Sequence, residues 1–184
     1  LWLPLLYLTL TPKPAPEQAL PPSYLQEALS QYDAAGRERL QDFQALIEEG
    51  RTESDWERLH LANDFANRHI RYRADLEHWG KNDYWATPLE TLGTGAGDCE
   101  DYAISKYFSL RAMGVADEKL RLMYVRALSR NEPHMVLIYF ETPDAYPLVL
   151  DNMDGQIRSA RDRSDLKPIY SFNASGLWLA KASG

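Results

Sequence analysis

The sequence predicts an α+β fold in which helices come first and an antiparallel sheet follows. Two observations support this prediction. Apolar residues recur at helical spacing from residue 24 to residue 113, and their spacing changes to every second residue after Gly114. Helices and strands that are segregated along a chain are typical of a helical layer packed on one face of an antiparallel sheet.

The composition fits one globular domain and excludes several classes of protein. The 184 residues are 45% hydrophobic and 26% charged, and their formal net charge is -7. A nucleic-acid-binding domain would carry a clustered basic surface, so we expect no nucleic-acid partner. Cys99 has no second cysteine in these residues with which to form a disulfide. It is either a buried apolar side chain or a reactive thiol.

The first 22 residues differ from the rest. Residues 1–10 read LWLPLLYLTL, which is too short for a membrane-spanning helix of about 20 residues but matches the core of a secretory signal. Residues 11–22 are rich in proline, which is typical of an extended linker. We therefore expect 1–22 to be a signal or anchor remnant plus linker, and 23–184 to form a domain outside the cytoplasm. An ordinary strand or docking segment is the alternative for residues 1–10.

Capping signals help to place the helices. Ser54 and Thr87 are each followed three residues later by glutamate, the pattern of a capping box. The predicted helical segments are 24–50 (broken around 33–36), 54–70, a short turn from 87, and 99–113. We expect a loop over 73–86 and a flexible glycine-rich connector over 93–97.

Alternating apolar residues predict the strands. The predicted strands are 120–128, 134–140 and 148–151, with further short strands at 169–172 and 177–180. In adjacent antiparallel strands the start of one lies near the end of the next. His134, which begins the second strand, and Asp151, which ends the third, are therefore expected to be neighbours.

These positions suggest nucleophilic chemistry. Cys99 opens a predicted helix, where the helix dipole favours a thiolate and unpaired backbone amides can stabilise an oxyanion. His134 can serve as its base and Asp151 as the group that orients the base. Each has an ordinary alternative: His134 as a hydrogen-bonded core or edge histidine, and Asp151 as an aspartate that initiates a turn.

The run GDCEDYAISKYFSLRAMG at 97–114, with His134 and Asp151 downstream, resembles the bacterial transglutaminase-like cysteine proteinases. The resemblance covers about residues 54–154. It implies a papain/transglutaminase-like core, with a helix that carries the cysteine packed on an antiparallel sheet, and hydrolysis of a peptide bond by Cys99, His134 and Asp151. Within the family the sequence is similar to periplasmic proteases that release large biofilm adhesins and are sequestered by an inner-membrane cyclic di-GMP receptor.

The same resemblance implies calcium beside the nucleophile. Asp98 and Glu100 match the positions that hold it, Asp101 is expected to assist, and Asp83 is a further candidate. Carboxylates near a bend suit a calcium ion, which takes six to eight oxygen ligands. The alternative is that these acids only favour a helix N-terminus.

Two questions stay open at this point. Trp85 either lines the substrate cleft, or helps to form an oxyanion hole, or simply anchors the long loop before Cys99.

The domain as a whole is expected to be an endopeptidase, and the alternatives are an acyl transferase of the transglutaminase type and a non-catalytic binding module of the same fold.

Overall fold

The computed structural model of the protein describes residues 27 and 29–180, so the predicted remnant and linker at 1–22 lie outside the described residues. From Ala34 onwards the α-helices are α1 (Ala34–Gly50), α2 (Asp55–His69), α3 (Asp75–His78), α4 (Pro88–Thr94) and α5 (Cys99–Ala112). The strands are β1 (Arg71–Tyr72), β2 (Ala96–Gly97), β3 (Leu120–Ala127), β4 (Glu132–Tyr139), β5 (Leu148–Leu150), β6 (Arg158–Ser159), β7 (Leu166–Asn173) and β8 (Gly176–Leu179). Among the described residues, no helix has the length and apolar character needed to cross a membrane.

The prediction of helices followed by an antiparallel sheet is confirmed. Strands β3 to β8 form one sheet in the order β6-β5-β4-β3-β7-β8, and every neighbouring pair is antiparallel. Residues of α5 such as Ala103 and Leu110 share a buried cluster with Leu122 and Leu137 from the centre of the sheet. Alternate residues of the same strands form a second apolar cluster around Val136. The helix that begins at Cys99 therefore lies against one face of the central strands.

Local capping explains where the helices begin. The side chain of Ser54 accepts from the amide of Glu57, and that of Thr87 accepts from Glu90, so both predicted capping boxes are present. The predicted break around 33–36 is the start of α1, because Asp33 is the N-cap residue and accepts from the amide of Gly36 at 2.8 Å.

The prediction of a flexible connector over 93–97 is wrong. Helix α4 continues to Thr94 and ends at Gly95, which has a φ of 69°, a left-handed conformation that favours glycine. Ala96 and Gly97 then pair in parallel with Arg71 and Tyr72. The loop predicted over 73–86 likewise contains the short helix α3. These glycines allow close packing rather than flexibility.

Helices α1 and α4 approach each other closely at Gly36. A Cβ atom placed there would lie 2.4 Å from the backbone oxygen of Gly93. One turn further along α1, the Arg39 guanidinium donates to the same oxygen and to the Leu92 oxygen, at 2.9 and 2.6 Å. The absence of a side chain at Gly36 is therefore a packing requirement.

Lys106 is a buried charge inside this fold. It projects from α5, is fully buried, and its Nζ donates to the backbone oxygen of Asp151 at 2.9 Å. Burial lowers the pKa of Lys106 to about 7, although the charges of Asp151 and Asp64 oppose the change. Lys106 thus connects α5 to the end of β5.

Gly36→Ala is expected to lower the free energy of unfolding by about 1–3 kcal/mol, because the new methyl group would collide with the Gly93 backbone. In an unobstructed helix the same change would raise the free energy of unfolding. A lower value in Gly36→Ala would therefore report the close packing at this position. Urea unfolding followed by circular dichroism measures it. Gly155→Ala is the control, since the nearest atom to its Cβ would lie 3.9 Å away. An unchanged or higher stability in Gly36→Ala would contradict the close contact.

Lys106→Met is expected to change how stability depends on pH. Between a folded-state pKa of about 7 and the ordinary value of 10.5, the unfolded state binds more protons at this position, so the free energy of unfolding rises with pH. The rise is at most about 1.4 kcal/mol per pH unit. Urea unfolding from about pH 6 to about pH 9 should show that Lys106→Met lacks this contribution. Parallel curves for the two proteins would contradict the lowered pKa.

Candidate active site

Cys99 is the first residue of α5, and Asp98 is its N-cap residue. The turn is held by Asp101, whose carboxylate accepts from the amide of Ala86 at 2.9 Å and from that of Asp98 at 3.3 Å. Gly97 is needed here, because a Cβ atom would lie 2.6 Å from the Asp101 carboxylate. The residues before Cys99 therefore position its thiol at a helix N-terminus.

His134 and Asp151 meet as the strand order predicts. Nε2 of His134 lies 2.8 Å from Oδ1 of Asp151, and both residues are buried. The same Oδ1 accepts from the amide of Met153 at 3.0 Å. Among the described residues, Nδ1 of His134 has no hydrogen-bond partner, so it is the ring nitrogen left to interact with another group.

Arg163 holds the other side of the carboxylate. Its guanidinium donates to Oδ2 of Asp151 at 2.7 Å and also binds Asp165. Burial alone would raise the pKa of Asp151, but the hydrogen bond and charge of His134, the Met153 amide and Arg163 hold it well below its usual range. These contacts favour the ionised form of Asp151 beside the histidine.

The backbone of Asp151 is fixed as well. Its carbonyl oxygen accepts from Nζ of Lys106 at 2.9 Å and from Nδ2 of Asn67 at 3.0 Å. Nothing in the sequence alone singles out Arg163, Lys106 or Asn67. Arg163 lies in the run RDRSD, where nothing distinguishes it from Arg161.

The thiol of Cys99 lies beside the strand that carries His134. Cys99 packs against the buried cluster that includes Met135, and its thiol donates to Oε2 of Glu100 at 3.0 Å. Burial raises the pKa of Cys99, and the charge and hydrogen bond of Glu100 raise it further, while the Met135 amide lowers it. The thiol therefore lies at a helix N-terminus against the central strands, and its acidic neighbours oppose the thiolate.

Carboxylates crowd around this turn. Asp98 and Glu100 offer oxygens near the thiol, and two further groups, Asp75–Asp83–Glu100 and Asp75–Asp98–Asp101, each have ligand atoms within 4.8 Å of one another. Burial raises the pKa of Asp98 to about 9, with the hydrogen bond and charge of Glu100 as the next causes. Burial likewise raises that of Asp101 to about 7.

Unsatisfied oxygens indicate what these acids would accept. Oδ1 of Asp98 and Oδ1 of Asp75 are buried and have no hydrogen-bond partner among the described residues. A hard divalent cation with many oxygen ligands would satisfy both atoms and offset the repulsion. Asp75 was missed from the sequence because it comes from α3, far along the chain from Cys99. Asp101, by contrast, already binds two backbone amides, so its observed contacts stabilise the turn.

Trp85 lies beside this turn, since the amide of the next residue, Ala86, binds Asp101. Its ring is 45% exposed and stacks on Phe172 of β7, with 5.8 Å between ring centroids. Trp85 is therefore a partly exposed side chain that packs on β7. No described contact directs Trp85 towards an oxyanion beside Cys99.

Comparisons with known proteins show the family to which the chain belongs. Three structures of LapG from Legionella pneumophila are 41% identical to the chain, each with a TM-score of 0.79. One of them covers 86% of this chain and 87% of LapG; the calcium-bound form covers 88% and 89%, and the EGTA-treated form 86% and 85%. No curated protein matches the chain. The family model for bacterial transglutaminase-like cysteine proteinases matches residues 31–171. The chain therefore belongs to the bacterial transglutaminase-like cysteine proteinases.

Proposed function

We propose that the protein is a calcium-dependent periplasmic cysteine endopeptidase with Cys99, His134 and Asp151 as its catalytic residues. One observation carries the catalytic assignment. The buried 2.8 Å hydrogen bond between His134 and Asp151 lies next to Met135, which belongs to the buried cluster against which Cys99 packs. A base that is oriented by a carboxylate and adjacent to a nucleophile is the arrangement required for acyl transfer.

The proposed reaction has two halves. Nδ1 of His134 takes the thiol proton while Sγ of Cys99 forms a bond to the peptide carbonyl carbon, and the proton then passes to the leaving amine as the C–N bond breaks. In the second half, water gives a proton to His134 and attacks the thioester, and the proton returns to Cys99 as the C–S bond breaks. Asp151 keeps Nε2 hydrogen-bonded throughout, so that Nδ1 is the nitrogen that exchanges the proton.

The start of α5 supplies the oxyanion site. The first amides of a helix have no acceptor within the helix, and Cys99 is the first residue of α5. A peptide carbonyl attacked by Sγ would place its developing negative charge near the Cys99 amide. The helix dipole adds to this stabilisation.

The acids around the turn would hold calcium. Asp98, Glu100 and Asp75 provide oxygens for it, with Asp83 as a further ligand, and the ion would offset the carboxylate charge that disfavours a Cys99 thiolate. Asp101 assists by fixing the turn. The calcium-bound and EGTA-treated LapG structures support this choice of metal for a related protein.

The resemblance at 97–114 supports a substrate class and a location. We propose that the protein cleaves the N-terminal region of a large cell-surface adhesin in the periplasm, which releases the adhesin and promotes biofilm dispersal. An inner-membrane cyclic di-GMP receptor that sequesters the protease is the proposed regulatory partner. A site with small residues, such as consecutive alanines, is the proposed cleavage point.

Cys99→Ala is expected to abolish cleavage of N-terminal adhesin fragments, a loss of at least about 10⁴-fold in kcat, because no nucleophile would remain. Incubation of the fragments with both proteins, followed by mass spectrometry, measures cleavage. Circular dichroism should show the same fold for the variant. A hydrolysed product gains water, whereas transfer of the acyl group to an amine would show the mass of the amine. A fully active Cys99→Ala protein would overturn the proposal.

Calcium is expected to raise both activity and thermal stability, because an ion that binds only the folded state shifts the unfolding equilibrium. The increase in Tm should be lost in Asp75→Asn and Glu100→Gln, whose carboxylates face the cluster. Glu77→Gln is the matched control, since Glu77 is on the same short helix as Asp75 but is exposed and paired with Arg73. Scanning calorimetry with calcium or with a chelator gives the measurement. Full activity after exhaustive chelation, with no change in Tm, would remove the metal from the proposal.

A further inference from the structure

The sheet has an apolar surface that α5 does not cover, and we call it the aromatic face. It consists of side chains from the loop before α4 and from strands β3, β7 and β8: Trp85, Tyr124, Tyr170, Phe172, Leu177 and Leu179. Leu177 and Leu179 are 65% and 78% exposed, which is unusual for two leucines on one short strand. Contiguous exposed apolar surfaces often mark binding sites.

Pairing across the strands puts these residues on one side of the sheet. Met135, Tyr124, Tyr170 and Leu179 form one row of partners, and Leu137, Leu122, Phe172 and Leu177 form the next. Directly paired residues project from the same face. Leu137 and Leu122, the first two residues of the second row, are buried in the cluster that includes α5, whereas Leu177 is exposed. The aromatic face is therefore the continuation of the surface on which α5 packs.

Ring stacking makes this face rigid. Tyr124 stacks on Tyr170 with centroids 5.1 Å apart and planes inclined by 16°. Phe172 lies against Tyr170 at 6.2 Å and against Trp85 at 5.8 Å. Such preformed aromatic surfaces bind apolar groups with little loss of conformational entropy.

The opposite side of the sheet holds β8 in place. The guanidinium of Arg121 lies 3.8 Å from the ring centroid of Trp178 and 4.8 Å from that of Phe140. These contacts tie the edge strand to β3 and β4 from behind. Leu177 and Leu179 are thus presented by an anchored strand.

The aromatic face begins at the thiol. Met135, the first residue of its row, belongs to the buried cluster against which Cys99 and Tyr124 both pack, and Tyr124, Tyr170 and Leu179 follow it on successive strands. Strands about 4.8 Å apart place these three residues about 5, 10 and 14 Å from the Met135 position. An extended peptide advances about 3.3 Å per residue, so Tyr170 and Leu179 lie about three and four residues from a bond held at Cys99.

We propose that the aromatic face is a specificity site that binds apolar side chains of the substrate about two to four residues from the scissile bond. The proposal rests on the proposed peptidase function. It adds a preference for apolar substrate side chains, which the catalytic residues do not determine. Because the aromatic face is continuous with the surface beside the Cys99 thiol, a substrate peptide is favoured over other occupants. A peptide that crosses the strands from Cys99 towards β8 cannot avoid this surface.

The test uses fluorescein-labelled decapeptides with a central Ala-Ala pair in a Gly/Ser background. One leucine is moved through each position on either side of the pair. The wild-type protein should prefer leucine about three or four residues from the cleaved bond on one side. In Leu177→Ser/Leu179→Ser, kcat/KM for that peptide should fall about tenfold, mainly through KM, because the apolar contact is lost while the catalytic residues are untouched. The peptide with serine at that position should be cleaved equally by both proteins.

The control is Trp56→Ser, which removes an exposed apolar side chain from α2 that contacts His60 rather than the sheet. It should leave the peptide preference unchanged. A preference for leucine that survives in Leu177→Ser/Leu179→Ser, or no preference in the wild type, would overturn the proposal.

A binding experiment separates this proposal from the peptidase function. Fluorescence anisotropy with Cys99→Ala as the background needs no cleavage, and the double variant should raise Kd for the preferred peptide about tenfold. If no peptide is cleaved but this difference in Kd is present, the peptidase proposal fails and the binding site stands. If the double variant changes the oligomeric state in sedimentation but not Kd, the face is an interface between two copies and the specificity site is overturned.

Discussion

The buried carboxylate of Asp151 is the constraint on which the rest of the site depends. An ionised carboxylate inside a protein is costly unless each oxygen is satisfied. Asp151 meets this condition with His134 and the Met153 amide on one oxygen and Arg163 on the other. Its position is fixed by Lys106 and Asn67, which bind its carbonyl oxygen from α5 and α2. Helices and sheet are therefore joined at the residue that orients His134.

This arrangement explains why a lysine can be fully buried in α5. Lys106 makes its hydrogen bond to a backbone oxygen, and that interaction survives whether the amine is charged or neutral. The nearby charge of Asp151 favours the ammonium, while burial disfavours it more strongly. A methionine of similar length could fill the same volume, but it could not hold the end of β5. The fold therefore accepts an electrostatic cost at Lys106 in exchange for a fixed Asp151.

Local rules were enough to predict the backbone around the site, but not its supporting contacts. Ser54, Thr87 and the strand order could be interpreted because capping and alternation act over a few residues. The glycines at 93–97 suggested flexibility because the sequence does not reveal what packs against them. Arg163 and Asp75 escaped notice for the same reason: each acquires its role from a residue on another element. Their long-range contacts form only once the chain has folded.

The start of α5 combines two opposing electrostatic demands. A helix N-terminus favours anions, and the acids at 98, 100 and 101 exploit this preference. Burial, and then the charge of Glu100, nevertheless raise the pKa values of both Asp98 and Cys99. A proton on Asp98 would relieve the repulsion, but it would not favour the thiolate. Glu100 would still accept a hydrogen bond from the Cys99 thiol. A divalent cation held there would remove the cause itself, because it would satisfy the orphaned oxygens of Asp98 and Asp75 and compete for Glu100. Under the proposed calcium dependence, the carboxylates that disfavour the thiolate would make its reactivity depend on the metal.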